Sequence, residues 1–232
     1  MSVRIPSYST SLVLEAKGLT RSFSVGEKTV PVLRDLSLKI DGGERAFLTG
    51  SSGAGKTTLL YTLAGLEAPD SGEVKLGEKS LYKLSRTALA TLRNERIGYI
   101  FQNYHLLPEL TAVENVALPA LISGGSLKET RQRASALLDK VGLGDRLDHL
   151  PAELSGGEQQ RAAIARSLTN DPEILLADEP TGNLDSKNGH AIIELLLGLA
   201  EDAGKTLLVV THDASLAGLG TRHITIHDGQ LI

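Results

Sequence analysis

The sequence predicts an α/β protein with an antiparallel β segment toward its N-terminal side and a helical insertion in its middle. Three observations carry this reading. The apolar run Arg45-Ala46-Phe47-Leu48-Thr49 leads into a glycine-rich loop and then a helix beginning near Lys56, the strand, loop and helix that open an α/β unit. A second unit comes late: Glu173-Ile174-Leu175-Leu176-Ala177-Asp178-Glu179 reads as a buried strand, 188–199 as a helix and Thr206-Leu207-Leu208-Val209-Val210 as the next strand. Both late strands end in polar groups, Asp178-Glu179 and Thr211-His212-Asp213, at the strand ends where open α/β sheets carry their sites.

The elements follow in order. Residues 1–11 have no hydrophobic periodicity and read as a loose tail. From 12 to 40 the chain shows short alternating runs, Leu12-Val13-Leu14-Glu15-Ala16, Val30-Pro31-Val32-Leu33 and Leu36-Ser37-Leu38-Lys39-Ile40. Gly26-Glu27-Lys28 and Asp41-Gly42-Gly43-Glu44 punctuate them, which predicts antiparallel strands joined by turns. Between 103 and 155 the spacing turns helical, with Leu137, Leu138 and Val141 ahead of the helix-ending Gly142 and Gly144.

Composition bounds the chemistry. The 232 residues hold 24 Lys plus Arg against 28 Asp plus Glu, a net charge of −4. Such a balance argues against a nucleic-acid partner. There is no cysteine, which excludes disulfides, Cys-ligated zinc, iron–sulfur clusters and thiol catalysis. With no Trp, three Phe and five Tyr, the core must be aliphatic. The richest apolar stretch, 192–200, contains Glu194 and falls far short of the ~20 residues a membrane helix needs. The N-terminal residues lack the apolar region of a signal peptide, so the expectation is a soluble, cytoplasmic chain.

Two motifs point to phosphate chemistry. Gly50-Ser51-Ser52-Gly53-Ala54-Gly55-Lys56-Thr57 fits G-x-x-x-x-G-K-[ST] at every fixed position. Glycines let successive backbone N–H groups turn toward phosphate oxygens at a helix N-terminus, whose dipole favours an anion. Lys56 would reach the β- and γ-phosphates and the Thr57 hydroxyl would ligate Mg²⁺; Thr58 follows in the same turn. At the second site, the acids Asp178 and Glu179 close an apolar strand. In phosphate-loop enzymes the Asp holds Mg²⁺ and an adjacent Glu can act as general base on the attacking water.

Between these sites lies Leu154-Ser155-Gly156-Gly157-Glu158-Gln159-Gln160-Arg161, which resembles the LSGGQ-type signature of the ATP-binding cassette ATPases. Phe101-Gln102 resembles that family's Q-loop, Asp178-Glu179 the end of its Walker B strand, Gly182-Asn183-Leu184-Asp185 its D-loop and Thr211-His212-Asp213 its switch histidine. Phe23 falls where the family carries an adenine-stacking aromatic, most often Tyr. The resemblance runs from 12 to 232. It implies a P-loop NTPase fold with a RecA-like core sheet, a single domain over 12–232 whose core and β subdomain occupy 12–102 and 156–232 and whose helical subdomain occupies 103–155. It implies ATP and Mg²⁺, with Gln102 sensing the metal and the water, His212 contacting the γ-phosphate, and Ser155, Gly156 and Gly157 receiving that phosphate from a second copy in a head-to-tail dimer. Asp185 would couple the two sites.

The stretches 92–102 and 106–116 resemble the lipoprotein-release, macrolide-export and cell-division cassettes (LolD, MacB and FtsE types), and 142–152 is similar to the YbbA relatives of LolD. This implies an ATPase at the cytoplasmic face of the inner membrane, peripheral, powering a separate permease of the LolC/LolE, MacB or FtsX type that acts on lipoproteins, hydrophobic compounds or other envelope substrates. The permease is expected to dock on 104–118. Unlike the fused macrolide exporter, the chain ending at Ile232 resembles the stand-alone ATPases. The alternative output is signalling to an envelope hydrolase, as in the FtsE type. Cassettes of DNA repair or translation need a coiled-coil insertion, zinc-binding cysteines or a second cassette, and the sequence has none of these.

Overall fold

The computed structural model describes residues 12–232; the tail expected over 1–11 lies outside the described residues. β1 (Leu14–Val25) and β2 (Lys28–Ile40) form one long antiparallel hairpin, so the three short runs expected over 12–40 are two long strands. β2 absorbs its polar interruption, Arg34-Asp35, as a bulge: pairing steps from Leu19↔Leu36 to Arg21↔Leu33 while Asp35 takes φ 52°, a left-handed value that Asp tolerates better than most residues. After β3 (Arg45–Thr49) and α1 (Lys56–Leu63), β4 (Ser71–Leu76) and β5 (Lys79–Ser80) complete a four-stranded sheet ordered β2-β1-β4-β5.

α2 (Arg86–Arg96) and β6 (Ile97–Ile100) lead into the helices α3 (Ala112–Ile122) and α4 (Leu127–Lys140). Then come α5 (Gly156–Ser167), β7 (Ile174–Asp178), α6 (Ser186–Asp202), β8 (Thr206–Thr211), β9 (Arg222–His227) and β10 (Gln230–Leu231). The second sheet is ordered β10-β9-β3-β8-β7-β6 and is parallel at every pairing but β10 with β9. The late α/β unit thus forms as the apolar runs predict.

Strand periodicity sorts the core into two layers. Ala46, Leu48, Ile174, Leu176, Leu208 and Val210 face the antiparallel sheet and α1, packing with Leu14, Leu36 and Leu59. Their neighbours Phe47, Leu175, Ala177, Leu207 and Val209 face the other way, onto helical side chains including Val116, Leu138, Ile164 and Ile193. The layers are aliphatic apart from a few aromatics such as the fully buried Phe47, as the scarcity of rings requires.

Short polar side chains set the helix starts. Thr111 and Ser155 each form a reciprocal capping box, with Glu114 and Glu158 respectively, and Ser126 caps α4. Gly142, at φ 73°, follows the end of α4, as its position predicts. Among the described residues no helix is long and apolar enough to cross a membrane.

β6 meets the C-terminal end of α5 with almost no clearance at Gly98. A Cβ there would come 2.6 Å from the Leu175 Cδ2 and closer still to the Ser167 carbonyl oxygen, which as backbone cannot step aside. Gly98→Ala is expected to destabilise the fold by about 1–3 kcal/mol, read as a lowered urea midpoint at unchanged slope. An unaltered midpoint would mean that α5 is free to shift off the sheet.

Candidate active site

The loop between β3 and α1 is built around one cation. Lys56 opens α1 and is 8% exposed, yet its Nζ donates to the carbonyl oxygens of Gly50 at 2.9 Å and Ser51 at 3.0 Å. Gly55, the residue before it, takes φ 100° with its Cα so close to β2 that a Cβ would lie 2.8 Å from the Val32 carbonyl; only glycine fits both demands. The turn leaves the first N–H groups of α1 without intrahelical acceptors, and no side chain caps them.

The acids at the end of β7 meet this loop. The Thr57 hydroxyl donates to Asp178 Oδ1 at 3.2 Å. Asp178 is 5% exposed, and burial pushes its carboxyl above the ordinary carboxylate range, with the Thr57 hydrogen bond as the leading opposing influence. Glu179 turns the chain at φ 45° while its N–H stays bonded to the Val210 carbonyl of β8 at 2.9 Å. That turn carries its carboxylate toward β8: Oε2 accepts from the His212 N–H at 3.2 Å and lies 2.7 Å from His212 Nδ1. Oε1 stands 3.7 Å from Lys56 Nζ. The His212 ring itself is 68% exposed.

Lys56, Thr57, Glu179 and His212 share a cavity of about 540 Å³, while Asp178 lies outside its walls and touches it through the Thr57 hydroxyl. Of the residues singled out in the sequence, Phe23, Ser52, Gly53, Gly55, Lys56, Thr57, Thr58, Gln102, Glu179 and His212 line it. Gly50, Ser51 and Ala54 stand behind that wall: the first two carry the carbonyls that hold Lys56, and the Ala54 carbonyl accepts from the Gly229 N–H at 3.1 Å. Val32 also lines the cavity and was not anticipated; its place in an alternating run marked it as strand, not as site.

Ser155, Gly156, Gly157 and Asp185 do not line this cavity. Ser155 caps α5 through the Glu158 N–H, while Glu158 Oε2 accepts from the Ser155 N–H and hydroxyl at 2.8 Å each. Led by the backbone N–H of Ser155, these bonds hold the Glu158 carboxyl down at about 2. Asp185 caps α6 by accepting from the Asn188 N–H at 2.9 Å and borders a separate cavity of about 360 Å³ with His190, Asp213 and His212. Gln102 touches the 182–185 turn: Asn183 Nδ2 donates to the Gln102 carbonyl at 3.0 Å.

The ring-bearing residues near Gln102 form a row, with Tyr61–Tyr99, Tyr99–Phe101 and Phe101–His105 centroids 5.9, 4.3 and 4.6 Å apart. Tyr104 and His105 both take positive φ, and the half-buried Arg166 guanidinium of α5 donates to the Tyr104 carbonyl at 2.6 Å. Burial lowers the Arg166 guanidinium to about 10.

The donor set suits a small hard cation bound beside phosphates. Among the described residues no group of three or more His, Cys, Asp and Glu could hold a metal. Thr57 and Gln102 line the cavity, and the buried Asp178 carboxylate touches it through the Thr57 hydroxyl at 3.2 Å; hydroxyl, carboxylate and amide oxygens are of the kind that phosphate and water complete around Mg²⁺.

A lysine held by loop carbonyls at a helix N-terminus, facing a glutamate and a histidine just past the ends of neighbouring strands, makes this a P-loop ATPase with the cassette arrangement. The chain belongs to the ABC transporter family, whose model matches residues 33–182. It is 47% identical over 220 residues to the lipoprotein-releasing system ATP-binding protein LolD of Shewanella oneidensis, covering 95% of this chain and 96% of that one. It is also 47% identical over 223 residues to the macrolide export ATP-binding/permease protein MacB of Sodalis glossinidius, where 96% of this chain corresponds to only 34% of the longer protein. Among solved structures it resembles a post-hydrolysis dimer of the ATP-binding cassette MJ0796 bound to ADP and Pi, with TM-score 0.87, 41% identity and coverage of 94% and 96%. It also resembles cbiO1 of Clostridium perfringens, part of the cbiONQ transporter complex, with TM-score 0.84, 28% identity and coverage of 96% and 88%.

The buried acid has a measurable cost. A carboxyl whose folded value lies above its unfolded value binds its proton more tightly when folded, so stability falls as pH rises through that window. Asp178→Asn keeps an acceptor for Thr57 and removes the charge. It is expected to raise the melting temperature of the nucleotide-free protein at pH 7, by about 2–4 °C for each kcal/mol relieved, and to lose the advantage as pH falls toward the ordinary carboxylate range. A constant advantage at all pH values would assign the effect to something other than ionisation.

Proposed function

We propose that this chain is the ATP-hydrolysing subunit of an envelope machine of the LolD type, working as a head-to-tail dimer on a separate integral membrane partner at the cytoplasmic face of the membrane. One observation carries the reading. The cavity that gathers Lys56, Glu179 and His212 lacks Ser155, Gly156 and Gly157 from its walls, so a complete cassette site needs those groups from a second copy. The dimeric MJ0796 cassette supports the same arrangement.

In this reading the γ-phosphate sits between the Lys56 ammonium and the Glu179–His212 pair. Two of the three Lys56 hydrogens are held by the Gly50 and Ser51 carbonyls, which leaves the third, now near Glu179 Oε1 at 3.7 Å, for the incoming phosphate oxygen. Glu179 takes a proton from the attacking water as the new oxygen–phosphorus bond forms and the bond to the β-phosphate oxygen breaks. His212, 2.7 Å from Glu179 Oε2, holds that carboxylate and contacts the phosphoryl oxygens. Thr57, Asp178 and Gln102 would hold Mg²⁺, which would supply charge neutralisation for the transferred group. Ser155 and the Gly156 and Gly157 N–H groups of the second copy, at the N-terminus of α5, receive the same phosphate from the opposite side. Phe23 stacks on the base, and Asp185 links the two composite sites. The helical region 103–155, entered through the aromatic row beside Gln102, carries the docking surface for the membrane partner.

Glu179→Gln removes the base and keeps the shape. It is expected to cut steady-state ATP hydrolysis by about 10²–10⁴-fold while ATP accumulates a dimer on size exclusion. Near-parental turnover would rule out Glu179 as the base. The partner is tested by purifying the tagged chain from detergent-solubilised membranes: an integral permease of the lipoprotein-release type is expected to co-elute. Recovery of the chain from membranes with a partner of another class would replace that assignment.

A further inference from the structure

Phe23 does not meet its cavity alone. Arg21 precedes it by two positions on β1, on the same face of the strand, and its guanidinium carbon lies 4.8 Å from the Phe23 ring centroid. Phe23 lines the nucleotide cavity and Arg21 does not. The guanidinium is itself clamped. Glu67 Oε1 accepts from Nε at 3.1 Å and Nη2 at 2.5 Å, and Asp70 Oδ1 accepts from Nη1 at 2.8 Å. Asp70 also fixes the backbone on either side of Arg21: its Oδ2 accepts from the Ser22 N–H at 2.7 Å, and its own N–H donates to the Thr20 carbonyl at 2.8 Å. Arg21 is 24% exposed, so the stack is partly shielded from water.

We propose that Arg21 is a positioning residue for the nucleotide base, backing the Phe23 ring so that the opposite face is presented, already oriented, to the purine. The proposal rests on the reading of Phe23 as the base-stacking residue. Its physics has two parts. A cation over one face of a ring draws on the ring quadrupole and holds the side chain in one rotamer, so less side-chain freedom is lost when the base arrives. The clamp also fixes distance. Glu67 and Asp70 lie on the segment that leaves α1, and the same helix begins with Lys56 and Thr57 at its other end. The surface that receives the base and the loop that receives the phosphates are therefore both referenced to α1, which sets the span from base to phosphate that the site accepts.

A ligand with phosphates and no base separates this role from general support of the fold. Dissociation constants are measured by calorimetry for ATP and for inorganic tripolyphosphate, each with Mg²⁺, on the full chain and on Phe23→Ala, Arg21→Ala and the double variant. The single variants are expected to weaken ATP by about three- to tenfold, to leave tripolyphosphate within about twofold, and to be non-additive in the double variant. Should Arg21→Ala fail to fold, Glu67→Gln with Asp70→Asn keeps the guanidinium and loosens its clamp; an ATP-selective loss is again expected. If Phe23→Ala weakens ATP while Arg21→Ala or the clamp variant does not, base stacking stands and the role of Arg21 is overturned. Equal losses for both ligands in the Arg21 variants would also overturn it, as a structural effect. If Phe23→Ala leaves ATP binding unchanged, the base-stacking reading itself falls, and the Arg21 proposal with it.

Discussion

A buried ammonium with nowhere to go but its own loop is the constraint around which this structure is arranged. Lys56 is nearly inaccessible, and an unpaired charge at such a depth costs far more than a fold of this size can lose. Its needs are met by the Gly50 and Ser51 carbonyls and by the carboxylate of Glu179 at 3.7 Å. Each partner has a structural consequence. The carbonyls can turn inward only because the loop takes conformations open to glycine, and Glu179 reaches back only because it leaves the β7 strand at φ 45°. A non-glycine residue in that region stores strain, and here the strain aims the one carboxylate that also contacts His212.

The same arrangement explains why Asp178 and Glu179, adjacent in sequence, differ in surroundings. Asp178 is still strand: its side chain points down toward Thr57, is enclosed, and has its charge disfavoured by burial. Glu179 is the first residue past the strand, and its carboxylate is met by an N–H, an imidazole and an ammonium. One residue of chain therefore separates an enclosed carboxyl from one held by three donors, two groups of one type placed in different settings by where the strand ends.

Much of this was legible in the sequence because its signals are local. The glycine spacing before Lys56, the apolar run ending at Asp178 and the run ending at Thr211 each specify an element from neighbouring residues, and the sheet assembles them as those patterns require. The β1–β2 hairpin was misjudged in length because a bulge at Asp35 looks, in sequence, like a break between two strands. Val32 and Arg21 escaped notice for a different reason. Nothing within their own strands marks them; Val32 enters the cavity through the fold of β2 over Gly55, and Arg21 acquires its setting from Glu67 and Asp70, 46 and 49 positions away. Contacts closed over such separations carry no local pattern.

In the proposed dimer, the signature segment would prepare a site on a surface that does not itself contain it. The capping box at Ser155 satisfies two N–H groups of the helix start, those of Ser155 and Glu158, and leaves the first-turn groups of Gly156 and Gly157 without a side-chain cap. Glycine at both positions adds no side chain of its own there, and a Cβ on Gly156 would already lie 3.1 Å from the Tyr104 hydroxyl oxygen. Glu158, an anion at the same helix end, is drawn back into the cap and neutralised there by Arg146 at 3.1 Å, so its charge is directed away from that approach. A helix terminus whose first N–H groups no side chain caps and whose own acid is tied down has what the proposed external phosphate requires, with the Tyr104 hydroxyl and Leu184 standing beside Gly156. On the chain that carries it, this terminus stands outside the walls of the Lys56 cavity, which is the separation the proposed head-to-tail dimer would close.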